Sequence, residues 1–238
     1  MNINTIKYDL LQIRKDPMVL LGISVPFLIW ALMQFGFPAL QKLILVQFSF
    51  DIVPYYEQTG IFLLTIIPMM FGMVYGFMLL DERDAGIISA ISVTPLGRIG
   101  YLRLRLGIPM IFSFIASVLF CRLLGLGSQL NFFQLLFLCS ILTLNAPILV
   151  LFLGAFADNK VEGMAIAKGF GVLLSAMLID FVVPAPWNWL GIYSPLFWFE
   201  RAFLSQNISD FVTYTFISLL THFLLLYFLN KKFSDKID

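Results

Sequence analysis

The sequence predicts an all-α polytopic membrane protein with six transmembrane helices, and three observations predict it. Of 238 residues, 60% are hydrophobic and only 12% are charged, about half the charged share of a soluble domain. Long windows free of Asp, Glu, Lys and Arg recur along the chain, over residues 17–41, 58–80, 106–121, 123–157, 169–179, 181–199 and 211–230. The Lys and Arg residues gather on alternate connections. A helix of about 20 apolar residues crosses a hydrocarbon core of about 30 Å. The apolar runs are continuous rather than alternating, which favours helices over a barrel.

The elements follow in order. Residues 2–15 place Ile3, Ile6, Leu10 and Ile13 at three- and four-residue steps, with charges between them, as in an amphipathic helix lying in the headgroup plane. Pro17 suits the turn into the first span. A charged segment before the first apolar run, with no small-residue cleavage pattern, argues against a cleavable signal. Spans are expected near 18–38, 60–80, 105–126, 132–154, 165–183 and 209–229, in one membrane domain covering 1–238. With the N-terminus in the cytoplasm, twelve Lys and Arg lie inside and three (Lys42, Arg122, Arg201) outside. That bias puts both termini in the cytoplasm and requires an even number of spans. Residues 184–205 hold three Pro and three Trp, which reads as an outer-interface segment, such as two short re-entrant helices.

Composition excludes several classes. A net charge of +1 gives no argument for nucleic acid. Cys121 and Cys139 fall in apolar runs and read as buried free thiols rather than a disulfide. There is no G-x-x-x-x-G-K-[ST], H-E-x-x-H or G-x-S-x-G in the chain, so neither an ATPase nor a hydrolase site is visible, and no metal site is expected. The single histidine, His222, lies mid-span and reads as an interhelical hydrogen-bonding group. Asp180, Glu200 and Arg201 sit near the outer interface, where a structural pair such as Asp180 with Arg201 is favoured over a substrate contact. Arg122 is expected to snorkel. Gly72 and Gly76 allow close helix approach, within the subunit or across a dimer. Gln34, Asn145 and Asp158 are candidates for lining a path. Met69, Met70, Met73 and Met78 read as core.

The longest inner connection, Asp81–Arg105, is the most informative: DERDAGIISAISVTPLGRIGYLRLR. Four charged residues precede a half-apolar, helix-like stretch. Thr94-Pro95 breaks it, and a basic run leads into the next span. A short amphipathic helix bounded by a Pro turn can dock on a cytoplasmic partner. The segment resembles the signature of the type-2 ABC transporter permease family, in Glu82, Arg83, Gly86, Thr94, Pro95, Tyr101, Leu102 and Arg105. The chain departs from that pattern at Ile87, Ile88 and Ser89, where the family often has Thr-Leu-Glu. The opening is also similar, with an amphipathic stretch and an Arg14-Lys15-Asp16-Pro17 corner.

The resemblance implies a function. Residues 2–16, with Arg14, Lys15 and Asp16, would be an elbow helix. Glu82, Arg83, Gly86, Ile87, Thr94 and Pro95 would form a coupling helix and its supports. Two ATP-binding-cassette ATPase subunits, which bind the ATP and Mg, would drive two permeases paired as a homodimer in the cytoplasmic membrane of a prokaryote. Aromatic and Met-rich walls with few fixed charges point to an amphipathic or hydrophobic cargo, such as a peptide toxin or bacteriocin, a drug or a lipid. The alternative is an ATP-independent secondary transporter or channel, which an inverted repeat or paired broken helices would support; neither is visible in the sequence.

Overall fold

The computed structural model describes residues 17–95 and 97–237; the expected elbow, with Arg14, Lys15 and Asp16, lies outside the described residues. The described residues are helical, and six helices are long and apolar enough to cross a membrane: Ser24–Phe48, Val53–Asp84, Gly97–Leu123, Phe132–Phe156, Lys160–Ile179 and Ile208–Lys236. They are numbered here as the first to sixth spans.

Several spans are longer than their apolar windows. The first continues to Phe48 rather than ending near residue 38. Pro38 has no N–H and its ring would strike the carbonyl four residues back, so a helix must open ahead of it. It does so as a π-turn over Leu32–Gly36, in which the Phe37 N–H reaches Leu32 O. Helix then resumes through Lys42. Gln41 ties the following loop by donating to Asp51 Oδ1 at 2.7 Å and accepting from Ile52 N at 2.9 Å.

The second span keeps four of its five charged residues in its last turn and ends where Gly86 turns left-handed, at φ 69°. A Cβ is disfavoured there. The third span begins at Gly97 rather than near 105, because the basic run is itself helical. The fourth opens on a capping box, Asn131 with Gln134. It tightens at Thr143–Leu144, where Ala146 N reaches Thr143 O at 3.1 Å. Pro147 accounts for this, since it cannot offer Thr143 the usual donor. The sixth runs to Ile237, past the expected 229.

The second and fourth spans form the centre. Their apolar windows are 72% and 78% buried, against 17–39% for the other four. Close approach depends on glycine at two contacts. A Cβ on Gly72 would lie 2.5 Å from Ala146 O, and one on Gly76 would lie 2.6 Å from the Leu153 side chain. The G-x-x-x-G face is thus used inside the subunit.

The aromatic segment forms a 3-10 turn, Trp187–Tyr193, and a helix, Pro195–Leu204, capped by Ser194. Leu196, Phe197, Phe199 and Phe203 are buried, and Ser218 of the sixth span donates to Pro195 O at 3.2 Å.

Candidate functional site

The inner connection folds as a short helix, Ile87–Ser92, framed by two left-handed glycines, Gly86 and Gly97. Ser89 Oγ donates back to Gly86 O at 3.0 Å. Thr94 closes the far end, its Oγ1 donating to Ile91 O at 2.7 Å and its backbone accepting from Gly97 N. Ile88 is buried and Ile87 and Ile91 are half-buried, while Ser89, Ala90, Thr94 and Pro95 are exposed. Val93 is 88% exposed. The free face of this helix is therefore built of small side chains, with no charge on it.

Six residues are too few for a stable isolated helix, so its neighbours must hold it. Glu82, at the end of the second span, is buried and binds the third span. Its carboxylate accepts from Tyr101 Oη, from Arg105 Nε at 2.9 Å, and from Arg105 Nη2 in an ion pair. Tyr101 and Arg105 are four residues apart on one helix face and are buried too. The guanidinium also lies 6.0 Å from the centre of the Tyr75 ring and 5.7 Å from that of Tyr101. A charge-assisted clasp thus closes the base of the loop.

Glu82 is thus committed inside the subunit. Arg83 likewise turns inward, donating to Gly154 O at 3.1 Å and Ala157 O at 2.7 Å at the end of the fourth span. Lys160 pairs with Asp81 at 2.8 Å. Lys236 of the sixth span donates to Ala157 O at 2.9 Å and pairs with Asp158 at 2.6 Å, which holds the Asp158 carboxyl below the usual carboxylate range. Spans two, four, five and six are therefore laced at the end that carries the loop helix. Little of this is legible in the sequence, because the partners lie about seventy to eighty residues apart; only the four-residue spacing of Tyr101 and Arg105 hints at a shared face.

The other candidates separate. His222 is fully buried. Its Nδ1 donates to Ser218 O at 2.7 Å, which leaves Nε2 to accept from Asn145 Nδ2 at 3.2 Å on the fourth span. It is an interhelical hydrogen-bonding group, and it takes Asn145 away from any path. Asp158 is committed to Lys236, and Gln34 is exposed on the first span. The Arg201 guanidinium sits over the rings of Phe197 and Trp189, at 4.3 and 4.5 Å; the Asp180 side chain lies outside the described residues. Arg122 lies over Phe132 at 5.2 Å. Cys121 and Cys139 are buried free thiols. At the opposite end from the clasp, Gln58, Thr59, Phe62, Met177, Leu178 and Glu200 line a cleft of about 100 Å³.

Comparison with known proteins gives a coherent result. A family model described as fluoroquinolones export permease protein Rv2686c-like matches residues 9–230. Two relatives from Mycobacterium tuberculosis, the fluoroquinolones export permease proteins Rv2686c (strain H37Rv) and MT2760 (strain CDC 1551), are each 25% identical over 192 residues. That alignment covers 79% of this chain and 76% of theirs. No solved structure matches.

Proposed function

The chain belongs to the Rv2686c-like family of fluoroquinolone export permeases, and on that premise we propose that it is the membrane subunit of an ATP-binding-cassette exporter. It carries no phosphate-binding loop of its own, so separate ATPase subunits, two per assembly, bind ATP and Mg and do the hydrolysis. Two copies of this chain pair in the cytoplasmic membrane of a prokaryote, with both termini in the cytoplasm and the aromatic hairpin re-entrant from the outside. The cargo is an amphipathic or hydrophobic molecule, a fluoroquinolone-like drug among them.

The observation that carries this reading is the loop between the second and third spans. Its short helix presents an uncharged face of small side chains, with Val93 at its tip, while the clasp of Glu82, Tyr101 and Arg105 fixes its base. A docking element that must pass on a push needs this combination: a contact surface on a support that does not yield. Gly86 and Pro95 set where the helix begins and where the chain turns back. The ATP-independent alternative gains no support from the kinked helices. At Thr143–Leu144 the carbonyls remain paired through short-range bonds, whereas broken transporter helices offer unwound carbonyls to an ion.

The test is co-purification with a P-loop ATPase expressed from the same cells. The expected result is a stoichiometric complex that Val93→Glu disrupts, at least tenfold in affinity, by burying a charge at an apolar contact. Val93 touches little within the subunit, so its fold survives the change. An intact complex with Val93→Glu, or transport that persists without ATP and collapses with the ion gradient, refutes the reading.

A further inference from the structure

The first span outruns the membrane. The ring of Phe37 meets that of Tyr56 at 5.1 Å, and Gln41 bonds Asp51 and Ile52, so residues 37–41 stand level with the start of the second span. Counted outward from Asp81, about 20 residues of the second span cover the hydrocarbon and bring its outer edge near residue 60. The helix Phe37–Phe48 therefore stands on the aqueous side of that edge, where an apolar surface is unfavourable. Its inner side, with Phe37 buried and Gln41 and Ile44 half-buried, faces the subunit. On the opposite side Ala39 is exposed, and Leu43 and Val46 are 56% and 87% exposed. Twelve residues make a marginal helix in water without packing, so this side calls for a cover.

The spacing identifies the cover. Gly36, Ala39, Leu43 and Val46 follow one another at steps of three, four and three residues, the a and d positions of a two-stranded coiled coil. The two inner ones are small, so a second backbone can come close. On that register Lys42 takes a g position and Gln47 an e position, on opposite flanks of the stripe. Both are exposed, and neither bonds another described residue. In a parallel pair the g residue of each helix meets the e residue of the other, so Lys42 can donate to the Gln47 amide oxygen of a second copy, twice over. A pair in the membrane has to be parallel, because two copies inserted with the same end in the cytoplasm are related by an axis along the membrane normal. A helix lying on the outer leaflet would instead need a polar side opposite the stripe, and that side holds Phe37 and Ile44. We infer that the helix Phe37–Phe48 pairs with the same helix of a second copy of this chain, outside the hydrocarbon, along Gly36, Ala39, Leu43 and Val46. This deepens the exporter reading by giving its two permeases a contact surface, and it rests on that reading for its place in transport.

The test cross-links the full chain in native membranes, one introduced thiol at a time; the native Cys121 and Cys139 are buried and do not compete. Val46→Cys and Leu43→Cys are expected to give disulfide-linked dimers under a copper–phenanthroline oxidant. Leu45→Cys, also exposed but about 100° around the helix from Val46, is not. A short bis-maleimide should report the same order without the geometric demands of a disulfide. Gln47→Lys sets like charges against Lys42 and should slow cross-linking of Leu43→Cys roughly fivefold, and adding Lys42→Glu should restore it. A membrane-impermeant maleimide then separates a partner from lipid: thiols introduced at Leu43 and Val46 should become labelled once the copies are diluted in excess lipid. Cross-linking that is equal at all three positions, or absent at both Leu43 and Val46, overturns the inference, as does shielding that survives dilution. A dimer that purifies intact without cross-linking there leaves the paired exporter standing and removes this contact. Cross-linked dimers that bind no ATPase do the reverse.

Discussion

Glu82→Gln is the sharpest probe of the inner clasp. The substitution keeps the shape of the side chain and removes its charge. Arg105 then remains 6% exposed, with its guanidinium facing a neutral amide and two aromatic rings. Removing one partner of a buried ion pair costs about 3–5 kcal/mol, because the other charge is left uncompensated. For a chain of this size about 2–4 °C of melting temperature is lost per kcal/mol, so the variant should melt on the order of 10 °C lower. The molecule supplies its own reporter: its two cysteines, Cys121 and Cys139, are both buried and free, so a thiol-reactive dye labels them only on unfolding. The double variant Glu82→Leu, Arg105→Met removes both charges together and should recover most of the loss, since an apolar pair of similar volume replaces a buried ion pair at little cost. A Glu82→Gln protein that melts within about 2 °C of the parent refutes the reasoning. So does a double variant whose loss equals the sum of its two single changes, since coupled partners are non-additive.

Two further changes test the packing with the same thiol assay. Gly72→Ala places a methyl group 2.5 Å from the backbone oxygen of Ala146, which a backbone cannot readily yield, so a loss of about 1–3 kcal/mol is expected. Gly107→Ala, at a helical glycine with open space around it, should instead be neutral or stabilising by up to about 1 kcal/mol; equal effects at the two sites would rule out the close second-to-fourth contact. His222→Ala should cost about 1–3 kcal/mol by leaving an N–H of the buried Asn145 without its acceptor. His222→Gln should cost less because it keeps an acceptor there, and two variants of equal stability would remove the hydrogen bond from the account.

The six spans were legible because membrane burial writes itself into composition: a charge-free run of sufficient length has few other uses. Their ends were less legible, for reasons particular to each. Lys42 looked like the edge of the first span, yet helix runs through it to Phe48. The basic run before residue 105 looked like loop, yet a charged stretch beyond the hydrocarbon can continue a helix without penalty. The signature residues Glu82, Tyr101 and Arg105 were visible as a set, but not their mutual contact. The inward turn of Arg83 was not visible either. A backbone carbonyl at the end of another helix is a good acceptor, and it leaves no trace in the residue types 71 and 74 positions away. The outer cleft draws on residues 58–62, 177–178 and 200, three segments that only the packing of the chain brings together.

On the proposed reading, the two ends of the second span have different tasks, and a single helix must serve both. At the inner end the loop helix gains its stability from Ile88 and from the clasp. A push on its exposed face is therefore borne by spans two and three together rather than spent in melting six residues. At the outer end the same helix contributes Gln58, Thr59 and Phe62 to the cleft. Between them the second span packs tightly on the fourth through Gly72 and Gly76, which resists sliding, because interdigitated contacts at this distance change in steps rather than continuously. The weak point is Pro68, buried within the helix. It leaves the Leu64 carbonyl without its usual donor and makes a bend there less costly than elsewhere. A force applied near Glu82 can reach the cleft either as rotation of the whole second-and-fourth-span unit or as a hinge at Pro68; both keep the contact of Gly72 with Ala146, on the inner side of Pro68, and the hinge alone moves the outer end of the second span against the fourth.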